Sequence, residues 1–261
     1  MAGRVLATFE GVSKSYSGRV ALLDLTLSIH AREVCGLIGA NGAGKTTALR
    51  ILCGLVPPDS GRVLIGGADV WTSPIEAKKQ LGYVPDGAPL YANLTPEEHL
   101  RLTGRLHGLD PNRIRAESAR LLDALELEDR ARDPVGGFSH GMRQKVAIAC
   151  ALLHRPLLLV MDEPLTGLDA PTTRVIQALL RLWADQGGAV LYTSHQLEVV
   201  ERVCDRIAVL AEGRLLALGD LDELRSRSGS AGGLEEVFRG LTHTEDPSAI
   251  AERIMGTHPH R

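Results

Sequence analysis

The chain has 261 residues with a formal net charge of −3, 44% hydrophobic and 23% charged residues. That length is one large domain or two small ones at ~150 residues each, and the composition excludes a disordered chain. The slight acidity gives no electrostatic case for nucleic acid as the main partner. No apolar run approaches the ~20 residues of a membrane-spanning helix, and Met1–Glu10 carries Arg4 without the apolar core of a secretion signal. Cys35, Cys53, Cys150 and Cys204 form no C-x-x-C pair, so reduced, buried thiols are expected.

In chain order, Val5–Phe9, Leu25–Ile29 and Glu33–Ile38 predict short strands. Gly39–Thr47 is glycine-rich, and a helical pattern from Ala48 to Leu55 stops at Pro57-Pro58. Arg62–Ile65 and Leu81–Val84 predict further strands. From Thr95 to about Leu127 the period becomes helical: Thr95-Pro96-Glu97-Glu98 is a capping box with proline at the first helical position, and Asp110-Pro111 opens a second helix in the same way. Leu121, Leu122 and Leu125 place that helix against a core. Met142–Leu153 is helical, Leu157–Met161 a strand apolar on both faces, Thr172–Trp183 helical, Ala189–Thr193 a strand and Gln196–Val203 helical. Arg206–Leu210 and Arg214–Leu218 predict a hairpin around Glu212-Gly213, and Leu234–Leu241 a last small helix before a loosely held tail to Arg261. The alternation of strands and helices predicts an α/β fold with a largely parallel sheet.

Gly39-x-x-x-x-Gly44-Lys45-Thr46 is a complete phosphate-binding loop pattern. Its glycines (Gly39, Gly42, Gly44), with Ala40, Asn41, Ala43 and Thr47, let successive backbone N–H groups converge on an anion at a helix N-terminus. Lys45 supplies a point charge to the β- and γ-phosphates, and the Thr46 hydroxyl is a Mg²⁺ ligand. Lysine occurs only at 14, 45, 78, 79 and 145 in an arginine-rich chain, so Lys45 marks a place for a compact ammonium rather than a planar fork. The apolar run into Asp162-Glu163 supplies the matching acids: Asp162 to hold Mg²⁺, Glu163 to polarise an attacking water. Kinases, GTPases and motor ATPases share these two features, which leaves them open at this point.

The residues between and after these motifs separate the possibilities. Phe138-Ser139-His140-Gly141-Met142 resembles the signature motif of ATP-binding cassette ATPases, whose usual form is Leu-Ser-Gly-Gly-Gln. The retained Ser139 and Gly141 are a small hydroxyl and a glycine amide at a helix N-terminus. Tyr16 stands where that family places a ring on adenine, Leu168-Asp169 matches its D-loop, and His195 matches its switch histidine. A lone histidine after a strand is more often an ordinary surface or core residue; its place in order after the other motifs gives it weight.

The resemblance covers residues 4–225. It implies a P-loop NTPase core with a mostly parallel sheet, an N-terminal antiparallel β subdomain and a helical subdomain inserted at about 95–155, followed at 226–261 by a C-terminal helix and tail. It also implies ATP and Mg²⁺ as cofactors, Lys45, Glu163 and His195 as catalytic residues, and a homodimer in which Ser139 and Gly141 complete the partner's nucleotide site. A transmembrane permease in a separate chain would meet Thr95–Leu127 and the loop from Asp86 to Tyr91, placing the protein at the cytoplasmic face of the membrane. Tyr83-Val84-Pro85, the signature and Leu234-Glu235-Glu236-Val237-Phe238 resemble the ATPase subunits of multidrug, polysaccharide and lipid exporters. The family usually follows Tyr-Val-Pro with glutamine; here Asp86 stands there, a shorter side chain that adds charge near the metal and is a candidate ligand. A soluble regulatory cassette ATPase is the alternative, although such chains usually carry two cassettes or coiled-coil insertions. A small-molecule kinase is disfavoured by the signature and D-loop.

Overall fold

The computed structural model describes residues 3–242. The chain opens with two twelve-residue strands, β1 (Val5–Tyr16) and β2 (Arg19–His30), joined by the tight turn Ser17-Gly18 with both residues at positive φ. Next come β3 (Val34–Gly39), α1 (Lys45–Leu52), β4 (Ser60–Ile65), the two-residue β5 (Ala68–Asp69), α2 (Pro74–Lys79) and β6 (Leu81–Val84). Three longer helices follow: α3 (Pro96–Leu106), α4 (Pro111–Ala124) and α5 (His140–Leu152). The chain then alternates through β7 (Leu158–Asp162), α6 (Ala170–Asp185), β8 (Ala189–Thr193) and α7 (Leu197–Val203) before the hairpin β9 (Arg206–Ala211) and β10 (Arg214–Gly219). It ends with α8 (Leu221–Ser228) and α9 (Leu234–Thr242). The expected tail to Arg261 lies beyond Thr242, outside the described residues.

Two sheets are formed. One is antiparallel, in the order β2-β1-β4-β5. The other has the order β10-β9-β3-β8-β7-β6, parallel throughout except for the β9–β10 edge. The apolar strands of the second sheet serve two cores at once, because side chains alternate faces. Val34 and Ile38 of β3, Leu159 and Met161 of β7, and Val190 and Tyr192 of β8 pack with α5, α6 and α7. Cys35, Leu37, Leu158, Val160, Ala189 and Leu191 face the opposite way, into a core closed by Leu49, Ile51 and Leu52 of α1 and by Phe9, Leu25 and Leu27 of the antiparallel sheet.

The caps read from sequence form as expected. The Thr95 hydroxyl accepts from Glu98 N while the Glu98 carboxylate accepts from Thr95 N, and the Asp110 carboxylate caps α4. All four cysteines are free, with burial pushing the Cys35 thiol up to about 12 and the Cys150 thiol up to about 11. Among the described residues no helix is long and apolar enough to cross a membrane.

Candidate functional site

Parallel strands end on one edge of a sheet, and ligands of such sheets sit beyond that edge. Here β3 ends at Gly39, β6 leads into Asp86, β7 ends at Asp162 and β8 leads to His195. Asp86, Asp162 and His195, together with Tyr16, the loop residues Ala40–Thr47 and Glu163, line one open cavity of about 800 Å³, while Gly39 lies behind it without lining it.

Backbone geometry explains the glycines of the loop. Gly44 is the N-cap of α1 at φ 108°, and a Cβ there would lie 2.4 Å from the Ala21 carbonyl oxygen. A Cβ on Gly39 would lie 2.5 Å from the Leu210 carbonyl oxygen. The loop is therefore wedged between β2 and the end of β9. Its other tie is Gly213, in the β9–β10 turn, whose N–H donates to the Ala43 carbonyl at 3.0 Å and whose own carbonyl accepts from Leu23 N at 2.8 Å. Lys45 folds back over the loop, its Nζ donating to the carbonyls of Gly39 at 2.6 Å and Ala40 at 3.3 Å. Burial holds its ammonium below the usual lysine range, opposed by the charges of Glu163 and Asp162.

The acids lie across the cavity. Asp162 pairs in register with Thr193 on β8, and the Thr193 hydroxyl donates to its Oδ1 at 2.6 Å. Glu163 follows at φ 48°, a left-handed conformation that costs a non-glycine residue ~1–3 kcal/mol and clusters at functional sites. Its Oε2 accepts from His195 N at 3.2 Å. Its Oε1 is buried without a hydrogen-bond partner, 3.3 Å from His195 Nε2 but outside bonding angle. A buried carboxylate oxygen with no donor, facing a cavity that also holds an ammonium, can orient and polarise a water.

Besides Gly39, two of the sequence-derived residues lie outside the cavity. Ser139 caps α5, accepting from Met142 N at 3.2 Å, and neither it nor Gly141 lines the cavity. Gly141 faces Leu168, and His140 packs on Gly167, so that a Cβ at Gly167 would lie 2.5 Å from the imidazole. Asp169 caps α6, accepting from Thr172 N at 2.7 Å. The signature and D-loop segments thus pack against each other. Asp86 is exposed on the cavity wall. Sequence reasoning missed Arg19, Arg50, Tyr83 and Pro89, which also line the cavity. Arg19 has no motif to mark it; it reaches the loop only because the β1–β2 turn brings it within 3.9 Å of the Cβ position of Gly42.

The family model described as ABC transporter matches residues 22–166. The linearmycin resistance ATP-binding protein of Bacillus subtilis is 36% identical, over 91% of this chain and 80% of its own. The daunorubicin/doxorubicin resistance ATP-binding protein of Streptomyces peucetius is 36% identical, over 94% and 73%. The Nod factor export ATP-binding protein I of Rhizobium sp. (strain N33) is 38% identical, over 83% and 71%. Among solved structures, an ATP-binding subunit of an ABC transporter superposes with a TM-score of 0.85 at 35% identity, covering 90% of this chain and 99% of that one. A dimeric ATP-binding cassette in a post-hydrolysis state with ADP and Pi gives 0.76 at 27% identity, over 83% and 99%.

Proposed function

The chain belongs to the ABC transporter family as an ATP-binding, ATP-hydrolysing subunit, and from that premise we propose how its own residues carry the reaction and what the reaction serves. The triphosphate lies on the Gly39–Thr47 loop, with adenine against Tyr16 and Lys45 Nζ swung from the Gly39 carbonyl onto the β- and γ-phosphates. Glu163 is the general base, and His195 both orients it and contacts the γ-phosphate. The observation that carries this reading is the buried, unpartnered Glu163 Oε1 beside His195 on the same cavity wall as Asp162.

The oxygen donors also fit Mg²⁺. Thr46 and Asp162 line one cavity, and only Oδ1 of Asp162 is engaged by a protein donor, Thr193. Among the described residues there is no cluster of three metal-binding side chains. That suits an ion normally held by one or two protein oxygens plus phosphates and water. Thr46 and Asp162 would hold the Mg²⁺, which would neutralise charge that develops on the phosphates. Asp86 is the further candidate ligand.

Two copies would form two nucleotide sites, with Ser139 and Gly141 of each completing the other's. The position of both residues outside their own chain's cavity supports that arrangement, as does the dimeric state of the structurally similar cassette. Residues 4–225, with the helical insertion at about 95–155, form the ATP-binding unit, and 226–261 form its C-terminal appendage. The cycle powers a separate transmembrane permease, docked on Thr95–Leu127 and the Asp86–Tyr91 loop at the inner face of the membrane. Resistance and export relatives favour an exporter. The test is gentle extraction of membranes carrying Glu163→Gln with ATP. A stoichiometric multi-span protein co-purifying with the chain is the expected result. Recovery only as a soluble dimer would overturn the transport reading in favour of a regulatory ATPase.

A further inference from the structure

A second cavity, of about 430 Å³, opens between α3 and α4 on the helical part of the chain, away from the nucleotide cavity. Glu97, Arg101 and Arg105 recur every four residues along α3 and so share one face of it. They stand opposite Arg115 and Ser118 of α4, with Arg132 at the rim. Four arginines and a single carboxylate line this cavity, in a protein whose net charge is −3. Arg105 and Arg115 have no acidic partner among the described residues. Arg101 and Arg132 reach only loose ones, Glu98 at 3.7 Å and Glu97 at 3.6 Å. The Ser118 hydroxyl on the wall belongs to a residue 7% exposed and has no hydrogen-bond partner. A buried hydroxyl that bonds neither protein nor the preceding helical turn is unusual. Apolar wall is supplied by Ile114 and Leu122.

We propose that this groove binds a phosphomonoester, its oxygens held by Arg105 and Arg115 with Arg101 and Arg132 at the rim. The Ser118 hydroxyl donates from the wall, and a short carbon body lies on Ile114 and Leu122. Guanidinium forks pair with phosphate oxygens two at a time, and a phosphomonoester brings about −1.5 to −2 charges, enough to answer several arginines where one carboxylate is not. The concave shape and the buried hydroxyl suit a small group entering the groove better than a flat macromolecular face. The volume is within the ~300–1,000 Å³ of small-molecule sites. The same chemistry can arrive as a soluble phosphorylated metabolite or as the headgroup of phosphatidic acid. The inference does not rest on the ATPase mechanism, since no residue of the groove belongs to it; its α3 and α4 walls fall within the Thr95–Leu127 stretch proposed to meet the permease, so it is tested on the chain without that partner.

The full chain, its nucleotide cavity filled with ADP, is titrated with glycerol 3-phosphate by calorimetry. In parallel it is sedimented with phosphatidylcholine vesicles with and without phosphatidic acid. Saturable binding in either arm is expected, and the arm that responds identifies the source. Arg105→Glu with Arg115→Glu should weaken that binding about tenfold or more, and Ser118→Ala a few-fold, with ADP affinity unchanged. Both arginines are exposed, so the charge-reversed chain should fold; if it does not, Arg105→Gln with Arg115→Gln makes the same test. Binding in neither arm, or binding undiminished by the substitutions, overturns the proposal.

Discussion

Thr193→Val removes one hydroxyl and leaves a side chain of nearly the same shape in a fully buried position. The hydroxyl donates to Asp162 Oδ1 at 2.6 Å and also receives the Glu163 N–H at 3.3 Å. Hydrogen bonds to charged groups contribute ~1.5–3 kcal/mol. Asp162 faces a wet cavity and can recover part of that from water, so a loss of about 2 kcal/mol is expected. For a chain of this size that is a fall in Tm of about 4–8 °C, measurable by calorimetry. The functional effect should be selective. Asp162 loses the donor that fixes its orientation, and loss of such a partner weakens metal affinity ~10–100-fold. ATP binding with Mg²⁺ should weaken accordingly while binding in EDTA stays as in the wild type, and Thr193→Ser should restore both. A Thr193→Val protein that melts within a degree of the wild type and keeps its full Mg²⁺-dependent gain in affinity would refute the reasoning.

Glu163→Gln should retain ATP binding while slowing hydrolysis by ~10²–10⁴-fold and accumulating a closed dimer; ordinary phosphate release would remove Glu163 as the base. Lys45→Ala should weaken nucleotide binding itself, and equilibrium titration showing undiminished affinity would count against the cradle. Gly44→Ala places a methyl 2.4 Å from the Ala21 carbonyl oxygen at φ 108°, and urea unfolding should show a loss of more than ~2 kcal/mol. Stability should also fall in acid. His154 stacks on His107 at 3.6 Å and donates from Nε2 to the Leu81 carbonyl, leaving its Nδ1 buried and unpaired. Burial, then the neighbouring charges of His107 and Arg113, push His154 down to about 4. The unfolded chain therefore takes up protons the native one refuses. This contribution is fully present above pH ~6.5 and is lost as pH falls from there toward about 4. Thermal melts of His154→Asn across that window should show a shallower pH dependence; an unchanged slope would exclude this histidine as its source.

Strands β6 and β8 run where their apolar patterns place them, because strands buried on both faces have no competing polar alternation. The Thr95–Glu98 capping box locates α3, and the Asp110 cap followed by Pro111 locates α4 equally well. Legibility fails where local signals are short or missing. β5 has two residues and α2 six, too few for a period. Only the C-terminal half of β2 and the start of β1 are apolar enough to read; the rest, interrupted in β1 by Gly11, Ser13 and Ser15 and by irregularities of register, is strand only because the partner strand pairs with it. α1 begins at Lys45, three residues earlier than its apolar residues suggest, since its cap is a left-handed glycine rather than a serine or aspartate. α8 is absent from the expected elements, although Asp220 and Glu223 form a capping box at its start. At the candidate site, the loop, Asp162, Glu163 and His195 carry motif signals, whereas Arg19 and the orphaned Glu163 oxygen exist only in three dimensions.

The turn at Glu212-Gly213 looks, in sequence, like the tip of an edge hairpin, the sort of place where a tag or a fluorescent domain is inserted without harm. Its bonds to Ala43 and Leu23 make it a keystone instead: Gly213 joins the end of one sheet to the other directly beneath the phosphate loop, and a Cβ there would lie 2.9 Å from the Ala21 carbonyl oxygen. Lengthening this turn would unseat the loop from behind without changing the identity of any motif residue. An engineer choosing a permissive site for a reporter should pass over this hairpin in favour of a turn such as Gly67 between β4 and β5, where a Cβ meets nothing within 4 Å.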